Sequence, residues 1–254
     1  MPESFRSLDV AADGRPVLSF RRARLTGRDA LGLLPQLFLL SLWNLSESDF
    51  LLLSRAKSVS VRHGGSLLAF GRVTDASRRA TAEGAVTFVA FSPSIDLWEA
   101  PVSLSVAGNT SASSTVAAIV LSSGTGIQLL GWAGPDPVFS RGQAFFGRAA
   151  ECVNEVLSAA SARAYLTENG LGVVPAEGLP VSMELSEEDL IDRPAQASGN
   201  LVILRTAVTG WPLGKQIAVR WQDLRLTGLV IARSIDADNM QGSWEAELLL
   251  EVRL

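Results

Sequence analysis

The sequence predicts an α+β fold that is mainly β, with two small antiparallel β-barrel domains flanking a helix-plus-hairpin middle module. Three observations carry this. In the closing run, Trp244, Ala246, Leu248, Leu250, Val252 and Leu254 fall on one face. Ser243, Glu245, Glu247, Glu251 and Arg253 fall on the other, and only Leu249 breaks the pattern. Such alternation marks a strand with one buried face. Second, the N-terminal third holds short apolar runs divided by turn residues. Third, Phe146, Ala150, Val153, Val156, Leu157 and Ala160 recur at helical spacing in the middle.

In chain order, Val17–Leu25 predicts a strand that ends among Arg21, Arg22 and Arg24. The apolar stretch Leu31–Leu45 predicts a buried strand after a turn at Pro35, with Leu37–Trp43 as its body. Ser46-Glu47-Ser48-Asp49 resembles a capping box and opens a short helix that turns Phe50 and Leu53 inward. His63-Gly64-Gly65-Ser66 joins strands at Lys57–Arg62 and Leu67–Thr74, and Gly-Gly is a strong hairpin signal. Ala85–Phe91 is a further strand. These residues form the first barrel, 1–92.

The middle module, 93–177, turns to Ser, Thr and Ala. Ser113–Leu121 predicts a short helix ended by Gly124-Thr125-Gly126, and Gly147–Ala160 a longer one. Ala164–Thr167 and Leu171–Val174 flank Glu168-Asn169-Gly170, where Asn-Gly predicts a type I′ turn. The second barrel, 178–254, ends in the hairpin around DADNMQG. Trp244, Leu248 and Leu250 are its candidate core or assembly residues. Trp43, closing an apolar strand, and Trp211, in TGWPLGK, are the others.

Composition bounds the class. The chain has 254 residues, 47% hydrophobic and 19% charged, with net charge −4. A mean hydropathy of +0.24 suits apolar surface covered by partners. An acidic chain has no global attraction for nucleic-acid phosphates. The longest apolar stretch is interrupted by Pro35 and falls short of the ~20 residues a bilayer span needs, so no membrane insertion is expected. The N-terminus has no signal-peptide pattern. One cysteine, Cys152, excludes an intramolecular disulfide.

Candidate chemistry is thin. His63, the single histidine, reads as a turn residue beside two glycines. Cys152 reads as an inert thiol beside an apolar helical stripe. Asp236, Asp238 and Glu247 match three calcium-loop positions, but Met240 and Gln241 stand where an acid and a glycine are required. Glu187, Glu188, Asp189 and Asp192 read as a solvated helix start capped by Ser186, not as paired glycosidase acids. Arg21, Arg22 and Arg24 read as an interface or solvated edge. No catalytic, metal or cofactor residue is expected.

SLWNLSESDFLLL followed by VSVRHGGSLLAFGRVTDA resembles the N-terminal domain of baseplate hub proteins of contractile phage tails and related injection devices. FFGRAAECVNEVLSAASARAYLTENGLGVVP resembles their central helix-plus-hairpin module. SGNLVIL, GWPLGKQIAV and GLVIARSIDADNMQGSWEAELLLE resemble their closing barrel. The resemblance implies a structural, non-enzymatic homotrimer in the virion, at the tail baseplate. Its six barrels would form a ring joining a sixfold tail tube to a threefold spike. Tail tube, spike and wedge proteins are then its partners, and DNA passes its lumen without specific binding. No glycine-rich β-helix is present, so the spike is expected to be a separate protein. Alternatives are another tube-related adaptor, or a cell-wall hydrolase or carbohydrate-binding accessory of the tail.

Overall fold

A computed structural model describes residues 6–211 and 213–252. Arg253 and Leu254, assigned above to the closing strand, lie outside the described residues. The N-terminal part contains β1 (Asp9–Ala12), β2 (Arg15–Val17), β3 (Arg22–Ala30), β4 (Leu37–Trp43), α1 (Glu47–Arg55), β5 (Ser58–His63), β6 (Ser66–Thr81) and β7 (Gly84–Ser92). The strand expected over Val17–Leu25 is divided. The Asp49 carboxylate accepts hydrogen bonds from the Leu18 and Ser19 backbone amides, at 3.3 and 3.0 Å. Those donors are lost to any ladder, so β2 ends and β3 begins at Arg22. Helix α1 starts as its sequence implies, with Ser46 Oγ accepting from the Asp49 amide at 3.2 Å.

Gly64 and Gly65 take φ of +54° and +82°, the left-handed pair that a type I′ turn between β5 and β6 requires. β6 then runs to Thr81, beyond its expected end at Thr74. Residues 74–81 are exposed or half-buried and show no apolar alternation. Their order comes from backbone pairing with β7, from Asp75↔Ala90 to Thr81↔Gly84. A bulge between Val73 and Asp75 bends the strand. Its first half therefore pairs with β5 and its second with β7.

The middle part contains α2 (Ile95–Glu99), β8 (Pro101–Val106), β9 (Thr110–Ser111), α3 (Ala112–Ser122), β10 (Leu129–Trp132), β11 (Val138–Phe139), β12 (Gln143–Arg148), α4 (Ala149–Ala159), β13 (Ala162–Thr167) and β14 (Gly170–Pro175). The helix expected from Gly147 begins at Ala149, because Gly147 and Arg148 complete β12 against β8. The β13–β14 turn is Glu168-Asn169, one position before the expected Asn-Gly pair, and Thr167 faces Gly170. Gly170 is needed in the strand itself: a Cβ there would stand 2.4 Å from the Gln128 carbonyl, which β14 meets on its other side.

The C-terminal part contains β15 (Leu179–Leu185), β16 (Ala195–Ser198), β17 (Leu201–Ala207), β18 (Lys215–Trp221), β19 (Leu224–Asp238) and β20 (Trp244–Val252). Ser186 and Asp189 form a reciprocal capping box, but only a 3-10 turn, Glu187–Asp189, follows instead of a longer helix. β15 and β18 pair in parallel, a departure from the antiparallel expectation. The chain returns through β16 and β17 before β18, so it re-enters in the same direction. Asp236 and Asp238, assigned to the final turn, belong to β19.

One 13-stranded sheet runs through both ends of the molecule in the order β16-β17-β20-β19-β3-β4-β7-β6-β5-β1-β2, with β15 and β18 attached beside β19. Two of the three apolar cores lie along it, and the other fills the middle part. The first contains Leu25, Leu40, Leu53, Val61 and Leu68, with Phe38 stacked on Phe91 at 5.6 Å. Gly27 permits that stack, since a Cβ there would lie 2.3 Å from Phe38 Cδ1. The second packs α3 and α4 through Val116, Ile119, Val153 and Val156. The third contains Leu204, Trp211, Ile217, Val230, Leu248 and Leu250.

Candidate functional site

The site is the seam at which the two strand-rich ends join. β19 pairs with β20 along one side. On its other side β18 covers Leu224–Leu229 and β3 covers Ala232–Asp238. Val230 pairs with Leu250 and Ala232 with Leu249, which leaves Ile231 bulged between the two neighbours. The gap is closed by hydrogen bonds from the Leu31 amide to the Ile231 carbonyl at 2.8 Å and from the Gly214 amide to the Val230 carbonyl at 3.0 Å. One strand thus serves both cores.

Asp29 on β3 faces Arg233 on β19 directly, on the core side of the sheet. Arg233 Nε donates to Asp29 Oδ1 at 2.7 Å, and Nη2 to Oδ2 at 2.8 Å. Nη2 also donates to the Leu68 carbonyl and Nη1 to the Trp211 carbonyl, each at 2.9 Å. Both residues are 8% exposed. Leu68 belongs to the N-terminal core and Trp211 to the C-terminal one. A planar guanidinium with five fixed donors can bind a carboxylate and two carbonyls at once, which an ammonium cannot do in this geometry.

The opposite face of the same two strands carries a second set of pairs. Arg24 Nε and Nη2 donate to Asp236 at 2.9 and 2.8 Å. Arg22 Nη2 donates to Asp238 Oδ2 at 2.5 Å. Arg22 and Arg24 are therefore cross-strand partners within a central strand, which corrects their assignment to an edge; Arg21 is exposed. The Asp238 carboxylate also accepts from the Met240 and Gln241 amides, at 3.0 and 3.1 Å, and so holds the β19–β20 turn. Burial pushes the Asp238 carboxyl up, but Arg22 and the two amides outweigh it and hold it below the usual carboxylate range.

The three residues assigned to one face of the final strand divide between two cores. Leu248 and Leu250 are fully buried in the C-terminal core. Trp244 is half-buried against the N-terminal core, edge-on to His63 at 4.8 Å. Trp211 is 5% exposed, and its indole donates to the Ala207 carbonyl at 3.3 Å. Trp43 is half-buried with the Arg22 guanidinium 4.5 Å above its ring. On the other face Glu247 is exposed, whereas Glu251 pairs with Arg163 of the middle module at 2.7 Å.

His63 Nδ1 hydrogen-bonds the Ser7 carbonyl at 2.8 Å. Cys152 is buried on α4; burial, with Glu155 and Glu151 nearby, raises its thiol above the ordinary value. Glu187, Glu188 and Asp189 are exposed, and Asp192 pairs with Arg205 at 2.8 Å. Among the described residues, His, Cys, Asp and Glu form no group able to hold a metal ion. A groove of about 970 Å3 runs between β5–β6 and the β13–β14 hairpin. Of its charged lining, Arg72 pairs with Asp96 at 3.0 Å and with Glu99, and Glu168 with Arg62; Lys57 is in no ion pair among the described residues. No helix among the described residues is long and apolar enough to cross a membrane.

Sequence reasoning missed the aspartates that answer the arginines. Their signal was the alternation of charge in Arg22-Ala23-Arg24 and Asp236-Ala237-Asp238, which are complementary when the strands run antiparallel.

Fold and site together define a scaffold in which ion pairs lock one sheet across two cores. No family model and no curated protein matches the chain in sequence. Solved structures share its fold. A tail protein from Neisseria meningitidis MC58 matches with a TM-score of 0.73 at 10% identity, over 96% of this chain and 95% of that one. A prophage MuSo2 tail protein from Shewanella oneidensis matches with a TM-score of 0.72 at 10% identity, over 96% of each chain. An E. coli type VI secretion component, described as similar to T4 bacteriophage tail proteins gp27 and gp5, matches with a TM-score of 0.69 at 12% identity. That match covers 96% of this chain and 77% of the other. The resemblance read from the sequence is thus met at the level of fold: this chain has the mainly-β fold of these tail proteins.

Proposed function

We propose that the chain is a structural tail protein, the hub of a phage baseplate or a related injection device. In this reading it is a homotrimer that joins a sixfold tail tube to a threefold spike. The observation that carries the reading is the single sheet shared by two strand-rich ends, in a fold that matches tail proteins over 96% of this chain. Three copies offer six such ends, and the seam holds the two ends of each copy in one fixed relation. A symmetry adaptor needs that rigidity. Residues 1–92 and 178–254 act as the two ring-forming units and 93–177 as the outlying module. Tail tube, spike and wedge proteins are the partners, and the virion tail baseplate is the location. DNA passes the lumen without specific contacts, in keeping with the net charge of −4. The role is non-enzymatic.

Native mass spectrometry of the chain, alone and mixed with tube and spike proteins, tests this. Three copies in the complex are expected. A chain that stays monomeric with both partners overturns the proposal, and release of fragments from purified cell wall would favour the hydrolase alternative.

A further inference from the structure

The middle module stands apart from the continuous sheet. Among the described residues, no strand of 93–177 pairs with the 13-stranded sheet. Every buried residue of the second core lies within 93–177 except Leu33, which comes from the loop between β3 and β4. Leu33 is fully buried there, and its amide donates to Asn154 Oδ1 on α4 at 3.3 Å. The Gly32 amide donates to the Ala164 carbonyl on β13 at 2.7 Å. Ser94, just before α2, is buried; its hydroxyl donates to the Leu34 carbonyl at 2.9 Å and accepts from the Gln36 amide at 3.3 Å. One short loop thus anchors the module, beside the connection through which the chain enters it from β7.

Away from this anchor the module and the sheet separate. The β13–β14 turn lies about 13 Å along the strand from Ala164. The groove of about 970 Å3 runs between that hairpin and β5–β6, with Ser60, Phe70 and Arg72 on one side and Leu166, Thr167 and Asn169 on the other. Arg62 of β5 crosses it to pair with Glu168 in the turn, and the two side chains are 39% and 28% exposed. Arg72 meets Asp96 and Glu99 of α2, a few residues past Ser94 and so near the anchor. An exposed ion pair holds weakly and is screened by salt. A fully buried leucine is costly to remove from its core. The two attachments therefore differ in strength, the anchor firm and the pair across the groove labile.

We propose that the middle module is a hinged lid. It pivots on the buried β3–β4 anchor, is latched across the groove by Arg62 and Glu168, and opens when that pair is released. The two strand-rich ends stay fixed as the lid moves, because the β3–β19 ladder and the Asp29–Arg233 pair lie wholly within the sheet. The lid does not depend on the hub reading.

Charge reversal at the latch tests it. Spin labels at Thr74→Cys and Asn169→Cys, both exposed at the groove, report its width by pulsed electron resonance in a Cys152→Ala background. A second label pair, Thr74→Cys with Asn200→Cys, reports the sheet alone. At low salt the parent is expected to show one narrow distance across the groove. Arg62→Glu alone, Glu168→Arg alone, and the parent in about 1 M salt should each raise the population at longer distance about threefold or more. Arg62→Glu combined with Glu168→Arg should restore the parental distribution, and the sheet distance should not change in any variant. A groove distance unchanged by both single reversals and by salt overturns the lid. So does a widening that the combined variant fails to reverse, or one matched by the sheet distance, which would mean that the whole chain loosens.

Discussion

Asp29 and Arg233 pair through two hydrogen bonds where the N-terminal and C-terminal cores meet, and they lie 204 residues apart in the chain. The same guanidinium reaches a carbonyl from each core. Both charges are nearly buried, so each depends on the other to remain satisfied.

Removing one partner leaves an uncompensated buried charge. Asp29→Ala or Arg233→Ala should lower stability by ~3–5 kcal/mol. Arg233→Lys should also weaken the seam, because an ammonium cannot reproduce the planar fork. Replacing both residues, Asp29→Leu with Arg233→Met, should cost less than the sum of the single changes. Urea unfolding of the four variants measures this.

Asp238 gives the seam an acid limit. Its carboxyl is held below the usual range in the folded state, so its stabilisation is fully present above the unfolded value of ~3.9. That contribution falls as pH drops through the folded value. Thermal unfolding between neutral and acid pH should show a loss below about pH 4 that is smaller in Asp238→Asn. A parallel loss in both proteins would reject the assignment.

The final strand should be sensitive on one face only. Leu248→Ala should cost ~2–5 kcal/mol from transfer and cavity terms. Leu248→Asp should abolish folding, because a domain is stable by only ~5–15 kcal/mol. Glu247→Ala should be near neutral. Glu251→Ala should be mild but measurable, since it releases Arg163 from its 2.7 Å pair. Circular dichroism melts of purified variants distinguish these outcomes.

Cys152 should be unreactive in the folded protein. Burial raises its thiol, which favours the neutral form, and only the thiolate attacks. A disulfide reagent at neutral pH should label it slowly until denaturant is added. Rapid labelling of the native chain would mean that α4 is open to solvent.

The sequence by itself determined local structure where burial is periodic. The alternation after Trp244, the helical spacing of Val153, Val156 and Leu157 and the Gly64-Gly65 turn each state their own conformation, because a buried face imposes its period on neighbouring residues. Where the backbone alone holds a strand, as along residues 74–81 of β6, the sequence carried no such signal. Only the tertiary structure decided that β3 lies beside β19, that Arg22 and Arg24 answer Asp238 and Asp236, and that the final strand divides Trp244 from Leu248 and Leu250 between two cores. Period reports which face of a strand is buried, not which distant strand covers its edge. That choice follows from the joint packing of cores separated by most of the chain, and from a single bulged residue, Ile231, that lets one strand belong to both.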